Sequence, residues 1–116
     1  MKETRASIRY AKATLAFAEE ANSSQEVNED IKSLMTLTKE NLELSEVLEN
    51  PMLGSERKEA IMNAVLPKAS EETKKLFSLL AANNRMELLL LTCDNFLQLY
   101  SAQRGEVKVI VTTAIP

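Results

Sequence analysis

Histidine is missing from all 116 residues, which removes the commonest general acid–base and metal-ligating side chain. Cysteine occurs once, at Cys93, so no internal disulfide can form and a reducing compartment fits. With no histidine to activate it and leucines on both sides, that thiol reads as a buried structural group rather than a nucleophile. The two glycines, Gly54 and Gly105, stand alone, which excludes a phosphate-binding loop of any recognised spacing. Three prolines, no tryptophan and 4% aromatic residues leave too few turn and sheet formers for an all-β fold. The longest apolar run, Met86 to Leu91, is interrupted by Glu87 and is far too short to span a bilayer. The first ten residues carry Lys2, Glu3, Arg5 and Arg9 with no apolar run behind them, so no secretory signal is expected. Excess positive charge is lacking too: 14 basic against 17 acidic residues give a net charge of −3, and nucleic acid is not an expected partner.

The remaining candidates for chemistry have bland explanations. Glu19/Glu20 and Glu71/Glu72 are adjacent pairs, pointing about 100° apart on a helix instead of converging on a substrate. A di-iron bundle needs Glu-x-x-His ligands and cannot be built. Glu56-Arg57-Lys58-Glu59 mixes signs and reads as an exposed helix face. No catalytic residue, metal site or cofactor is expected.

What is present is a helical pattern, 45% hydrophobic and long enough for one real core. Thr4 or Ser7 starts a helix running to about Ala21, broken by Asn22-Ser23-Ser24. Ser23 and Glu26 have capping-box spacing for a second, with core stripe Val27, Ile31, Leu34 and Thr38. A third covers about Leu42 to Glu49 and stops before Pro51. A fourth opens with Ser55 as N-cap and turns Ile61, Ala64 and Val65 inward, and Pro67 closes it. A fifth, capped by Ser70, spans Glu71 to Asn83. Asn84 and Glu87 form a capping-type pair for a sixth, from Arg85 to about Gln103. That last helix, with Leu88 to Leu91, Cys93, Phe96, Leu97 and Tyr100, is apolar nearly all round and predicts a hub wrapped by the others. After Gly105, residues 106–113 alternate in β-branched strand chemistry. The expected fold class is all-α: a six-helix bundle over 1–105, then at 106–116 the first strand of a C-terminal domain whose sheet other residues supply.

Two helices carry more apolar surface than one core needs. The first has one stripe at Ile8, Ala11, Leu15 and Ala18, and another, about 130° away, at Tyr10, Ala13, Phe17 and Ala21. The fifth has Thr73, Leu76, Phe77 and Leu80 on one stripe and Leu79, Ala82 and Asn83 on another. Periodicity leaves two readings open for the second stripes: core of a compact bundle, or a surface that receives another helix.

These residues resemble a known family. Arg9-Tyr10-Ala11-Lys12-Ala13 with Phe17, then Asn50-Pro51, Asn83-Asn84-Arg85, and Gly105 followed by Val107, Val109, Val111 and Thr113 to Pro116 are similar to the delta subunit of bacterial F-type ATP synthase. Its mitochondrial counterpart is the oligomycin-sensitivity-conferring protein. Thr14-Leu15-Ala16 departs from the alanine- and phenylalanine-rich run usual there. The resemblance implies a non-catalytic stator protein of the proton-translocating enzyme, holding the catalytic head to the peripheral stalk. It also implies that the N-terminal helix of an alpha subunit docks between the first and fifth helices. The partner-binding residues would be Tyr10, Ala13, Thr14, Phe17, Lys75, Ser78, Leu79, Ala82 and Asn83, and the stalk b subunit would bind through the C-terminal domain. The expected setting is the cytoplasmic side of a bacterial inner membrane, peripheral and without insertion, with these residues monomeric by themselves. The rival reading is a free-standing helical adaptor of the death-domain type, which has no use for the terminal strand.

Overall fold

In the computed structural model, residues 4–104 are described, and they form six α-helices and one short 3₁₀ turn. These are α1 (Arg5–Glu20), α2 (Ser24–Glu40), α3 (Leu42–Glu49), α4 (Ser55–Val65), α5 (Glu71–Ala82), the turn at Met86–Leu88, and α6 (Leu89–Gln103). The alternating segment after Gly105 lies outside the described residues.

Local chemistry sets the helix ends. Thr4 caps α1: its hydroxyl accepts from the Ser7 amide at 3.0 Å while the Ser7 hydroxyl accepts from the Thr4 amide at 3.1 Å, a reciprocal box. Ser70 caps α5, accepting from the Thr73 amide at 3.4 Å. Asn22 and Asn84 both have φ of 56°, the left-handed setting that asparagine tolerates better than most side chains. Each closes a Schellman motif. Asn22 and Ser23 donate to the carbonyls of Glu19 and Ala18, and Asn84 and Arg85 donate to those of Ala81 and Leu80.

Three expected caps are corrected. Ser23 makes no side-chain cap on α2; its hydroxyl donates instead to Glu72 Oε1 at 2.8 Å, tying the α1–α2 corner to α5. Gly54, not Ser55, is the N-cap of α4, and the Ser55 hydroxyl reaches Asn84 Oδ1 at 2.7 Å. Asn84 terminates α5 rather than starting α6, so the chain passes through a 3₁₀ turn before α6 begins at Leu89.

The core is drawn from every helix: Ala11 and Ala18, Val27, Ile31 and Leu34, Leu48, Met62, Leu76, Phe77 and Leu80, and Leu89, Cys93, Phe96 and Tyr100. α1 packs most extensively against α6. Its buried stripe is Ser7, Ala11, Thr14 and Ala18, not the expected Ile8, Ala11, Leu15 and Ala18; Ile8 and Leu15 are only half-buried. Two hydroxyls can be buried there because both are satisfied. Thr14 Oγ1 donates to the Tyr10 carbonyl at 2.8 Å, and Ser7 Oγ donates to the Thr4 carbonyl at 2.9 Å and accepts from Asn95 Nδ2 at 3.2 Å. Four small side chains in a row let the two helices approach closely.

α4 also differs from expectation. It buries Lys58 and Met62, whereas Ile61 and Val65 are half-buried and Ala64 is exposed. Lys58 is no part of an exposed face: its Nζ donates to the Leu48 carbonyl at 2.8 Å, placing a cation on the negative end of α3. Nor is α6 wrapped on all sides. Leu90, Leu91, Leu97 and Leu99 are half-buried, because α1, α2 and the 3₁₀ turn cover only part of its circumference.

Candidate functional site

The buried stripe of α1 runs between two flanks. On one flank Tyr10, Ala13 and Phe17 are half-buried; on the other lie Ile8 and Leu15. α5 lies beside the first flank and holds its core stripe, Thr73, Leu76, Phe77 and Leu80, away from it. Lys75 closes the join: its Nζ sits 5.9 Å from the centroid of the Phe17 ring, a cation–π distance.

The first turn of α5 is held in place from α2. Asp30 on α2 accepts from the Ser70 amide at 2.8 Å and from the Thr73 hydroxyl at 2.7 Å, so a carboxylate from another helix sits at the positive end of α5. The Ser23–Glu72 bond ties the α1–α2 corner to the same first turn of α5. Spacing along the chain gives no hint of Asp30 or Glu72, since both act on residues forty or more positions away.

The expected docking residues fall into three groups. Tyr10, Ala13 and Phe17 on α1, with Lys75, Leu79 and Ala82 on α5 and Asn83 at its C-cap, present accessible surface along the α1–α5 join. The Tyr10 hydroxyl makes no hydrogen bond among the described residues, and Asn83 commits its amide to the Leu79 carbonyl at 2.9 Å, which leaves its Oδ1 open. Thr14 is corrected: it is fully buried under α6, its hydroxyl spent on its own helix, and no surface of it remains for a partner. Ser78, expected at the rim, is exposed on α5, and its hydroxyl donates to Glu59 Oε2 of α4 at 2.8 Å.

Cys93 is buried in the centre of the bundle, and burial, with a smaller contribution from the charge of Asp94, pushes its thiol up to about 12. A thiol held in that state is not a nucleophile at neutral pH. Among the described residues no group of acidic or sulfur side chains is arranged to hold a metal ion, and no helix is long and apolar enough to cross a membrane.

These features define an all-α six-helix bundle whose first and fifth helices keep apolar side chains at the surface. The chain belongs to the ATP synthase delta (OSCP) subunit family, whose model matches residues 6–116. It is 39% identical over 116 residues to ATP synthase subunit delta of Flavobacterium johnsoniae, covering all of this chain and 66% of that protein. Against the same subunit of Flavobacterium psychrophilum it is 37% identical over 115 residues, 99% of this chain and 65% of the relative. Subunit 5 of the mitochondrial ATP synthase of Neurospora crassa is 36% identical over 111 residues, 92% of this chain and 50% of that protein. The chain thus spans just under two thirds of the length of these bacterial relatives.

Proposed function

We propose that this chain is the helical part of a non-catalytic stator subunit of an F-type ATP synthase, and that the α1–α5 face receives the N-terminal helix of an alpha subunit. The subunit then sits on the catalytic head as a peripheral protein and links it to the stalk b subunit through residues beyond the bundle. Its mechanism is mechanical: tight binding without turnover, resisting the torque carried through the enzyme. The observation that carries this reading is the pairing of the two doubly apolar helices, with Phe17 and Lys75 bridging them and Tyr10, Ala13 and Leu79 left at the surface. Family membership supports it. The free-standing adaptor has no observation in its favour.

Burying a Leu or Phe side chain stabilises by roughly 1.5–3 kcal/mol, so a few anchors on this face suffice to hold a helix after its ordering cost. Ala13 is the point of close approach. Ala13→Asp would set an unpaired carboxylate into the contact at a cost of several kcal/mol, and about 1.4 kcal/mol corresponds to a tenfold loss of affinity. Titration calorimetry with the alpha N-terminal peptide is expected to show binding weakened by about two orders of magnitude or more. The fold survives, because Ala13 stands on the flank and not in the buried stripe. Equal affinity for parent and variant, both folded by circular dichroism, would mean the face is not the docking site.

A further inference from the structure

The other flank of α1 carries surface that the α1–α5 reading does not use. A hollow of about 620 Å³ is lined by Ile8 of α1 and by Asn95, Leu97, Gln98, Leu99 and Ala102 among the residues of α6. Ile8 also lines a second, neighbouring hollow, whose other walls are Arg5, Arg9 and Lys12. At 1.5 Å per residue, this basic row extends about 10 Å along α1, one charge per turn. None of the three makes an ion pair or a side-chain hydrogen bond among the described residues. In a chain of net charge −3, an uncompensated basic row beside an apolar hollow is a local reversal of the molecule's overall sign.

The lining says what kind of ligand fits. A small polar molecule needs convergent donors and acceptors to orient it. Here the polar groups do not converge: Asn95 Nδ2 donates to Ser7 Oγ and to the Leu91 carbonyl, Gln98 Nε2 donates to Asp94 Oδ2 at 3.1 Å, and the Ser101 hydroxyl is the one lining hydroxyl left without a partner among the described residues. Asp94, the one carboxylate of α6, is thereby engaged as well. What stays open is mainly apolar surface edged on one side by cations at helical spacing, and this matches the side of a helix that carries carboxylates at successive turns next to a leucine-rich face.

We propose that the α1–α6 flank is a second docking site, distinct from the α1–α5 face, for an acidic amphipathic helix of a partner protein. The apolar side of that helix seats on Ile8, Leu97 and Leu99, and its carboxylates align with Arg5, Arg9 and Lys12. The site does not depend on the alpha-subunit reading, since the two flanks share no docking residue.

The test uses the whole chain and a synthetic peptide of about 15 residues, long enough to be helical, with leucine and alanine on one side and glutamate at each turn beside it. A counterpart with lysine in place of glutamate and vesicles containing phosphatidylserine complete the set. The glutamate peptide is expected to shift the amide resonances of Ile8, Leu99 and Ala102, with an affinity that falls steeply as salt is added. Reversing the row, Arg5→Glu with Arg9→Glu and Lys12→Glu, should weaken binding about tenfold or more, because three opposite-charge pairs become three like-charge pairs. These positions line the surface, so the reversal leaves the core intact. Ile8→Asp should abolish binding, while Ala13→Asp should leave it unchanged, which separates this site from the α1–α5 face. Equal binding of the lysine peptide overturns the proposal, as do shifts confined to Tyr10, Phe17 and Leu79 or no binding at about 1 mM peptide. Binding of vesicles without binding of the glutamate peptide overturns it in favour of a lipid surface.

Discussion

At the scale of single residues, Cys93 makes the clearest measurable statement. Its thiol ionises near 9.0 when exposed and near 12 in the folded bundle. Between those values the unfolded chain has lost the proton that the folded chain still holds, so stability falls as pH rises, by up to about 1.4 kcal/mol per pH unit. Below pH 9 the group contributes no slope. Denaturation of the parent and of Cys93→Ala over that range is expected to give the steeper decline for the parent. Equal slopes would mean the thiol is reached by solvent. That Cys93 is buried was legible in the sequence, because it lies in a leucine-rich helix and histidine is absent. Thr14 was not: a threonine beside an apolar stripe reads as its margin, and only its bond to the Tyr10 carbonyl, with α6 lying above, makes it core. Ser7 was hidden for the same reason. Hydroxyls that bond back to their own helix behave as small apolar groups, and periodicity counts them as polar.

At the scale of elements, the helices themselves were largely readable and their joints were not. α3 is bounded by Pro51 as its sequence predicts, and α5 begins at Glu71 behind its Ser70 cap as expected. The caps at Ser23 and Asn84 went elsewhere because the preceding helix had first claim on the chain. Each helix end is finished by a left-handed asparagine, and the following residues are then already placed. Capping spacing describes what a segment can do alone; a Schellman closure decides whether it gets the chance. Between elements, Asp30 is the least predictable contributor and the most testable. It caps α5 from α2, through two charge-assisted bonds to Ser70 and Thr73. Asp30→Ala should cost about 1.5–3 kcal/mol in urea denaturation, with the m-value unchanged. Asp30→Asn, which keeps an acceptor and loses the charge, should cost less. If the alanine variant were as stable as the parent, α5 would be held by its packing alone.

At the scale of the whole molecule, the expectation of a binding rather than a catalytic part rests on what the sequence lacks, and it can be checked directly. Purified chain should release no phosphate from ATP above the buffer rate, and light scattering should report a monomer. Turnover that copurifies with the folded chain would overturn the first expectation. The bundle was legible as a whole because six amphipathic segments leave few alternatives. The apolar surface on α6 was not, because a helix apolar on every side predicts complete burial, and only the arrangement of its neighbours reveals which side is uncovered. The buried stripe on α1 has a further consequence. Ser7, Ala11, Thr14 and Ala18 fix how far that helix is rolled about its own axis against α6, and both flanks hang from this one angle. A close-packed seam yields to a larger side chain by shifting the backbone. Enlarging Ala11 or Ala18 would therefore roll α1, and a roll that lifts Tyr10, Ala13 and Phe17 outward lowers Ile8 and Leu15 by the same angle. The two faces are the two ends of one rocker, and neither can be tilted by a roll of α1 without the other.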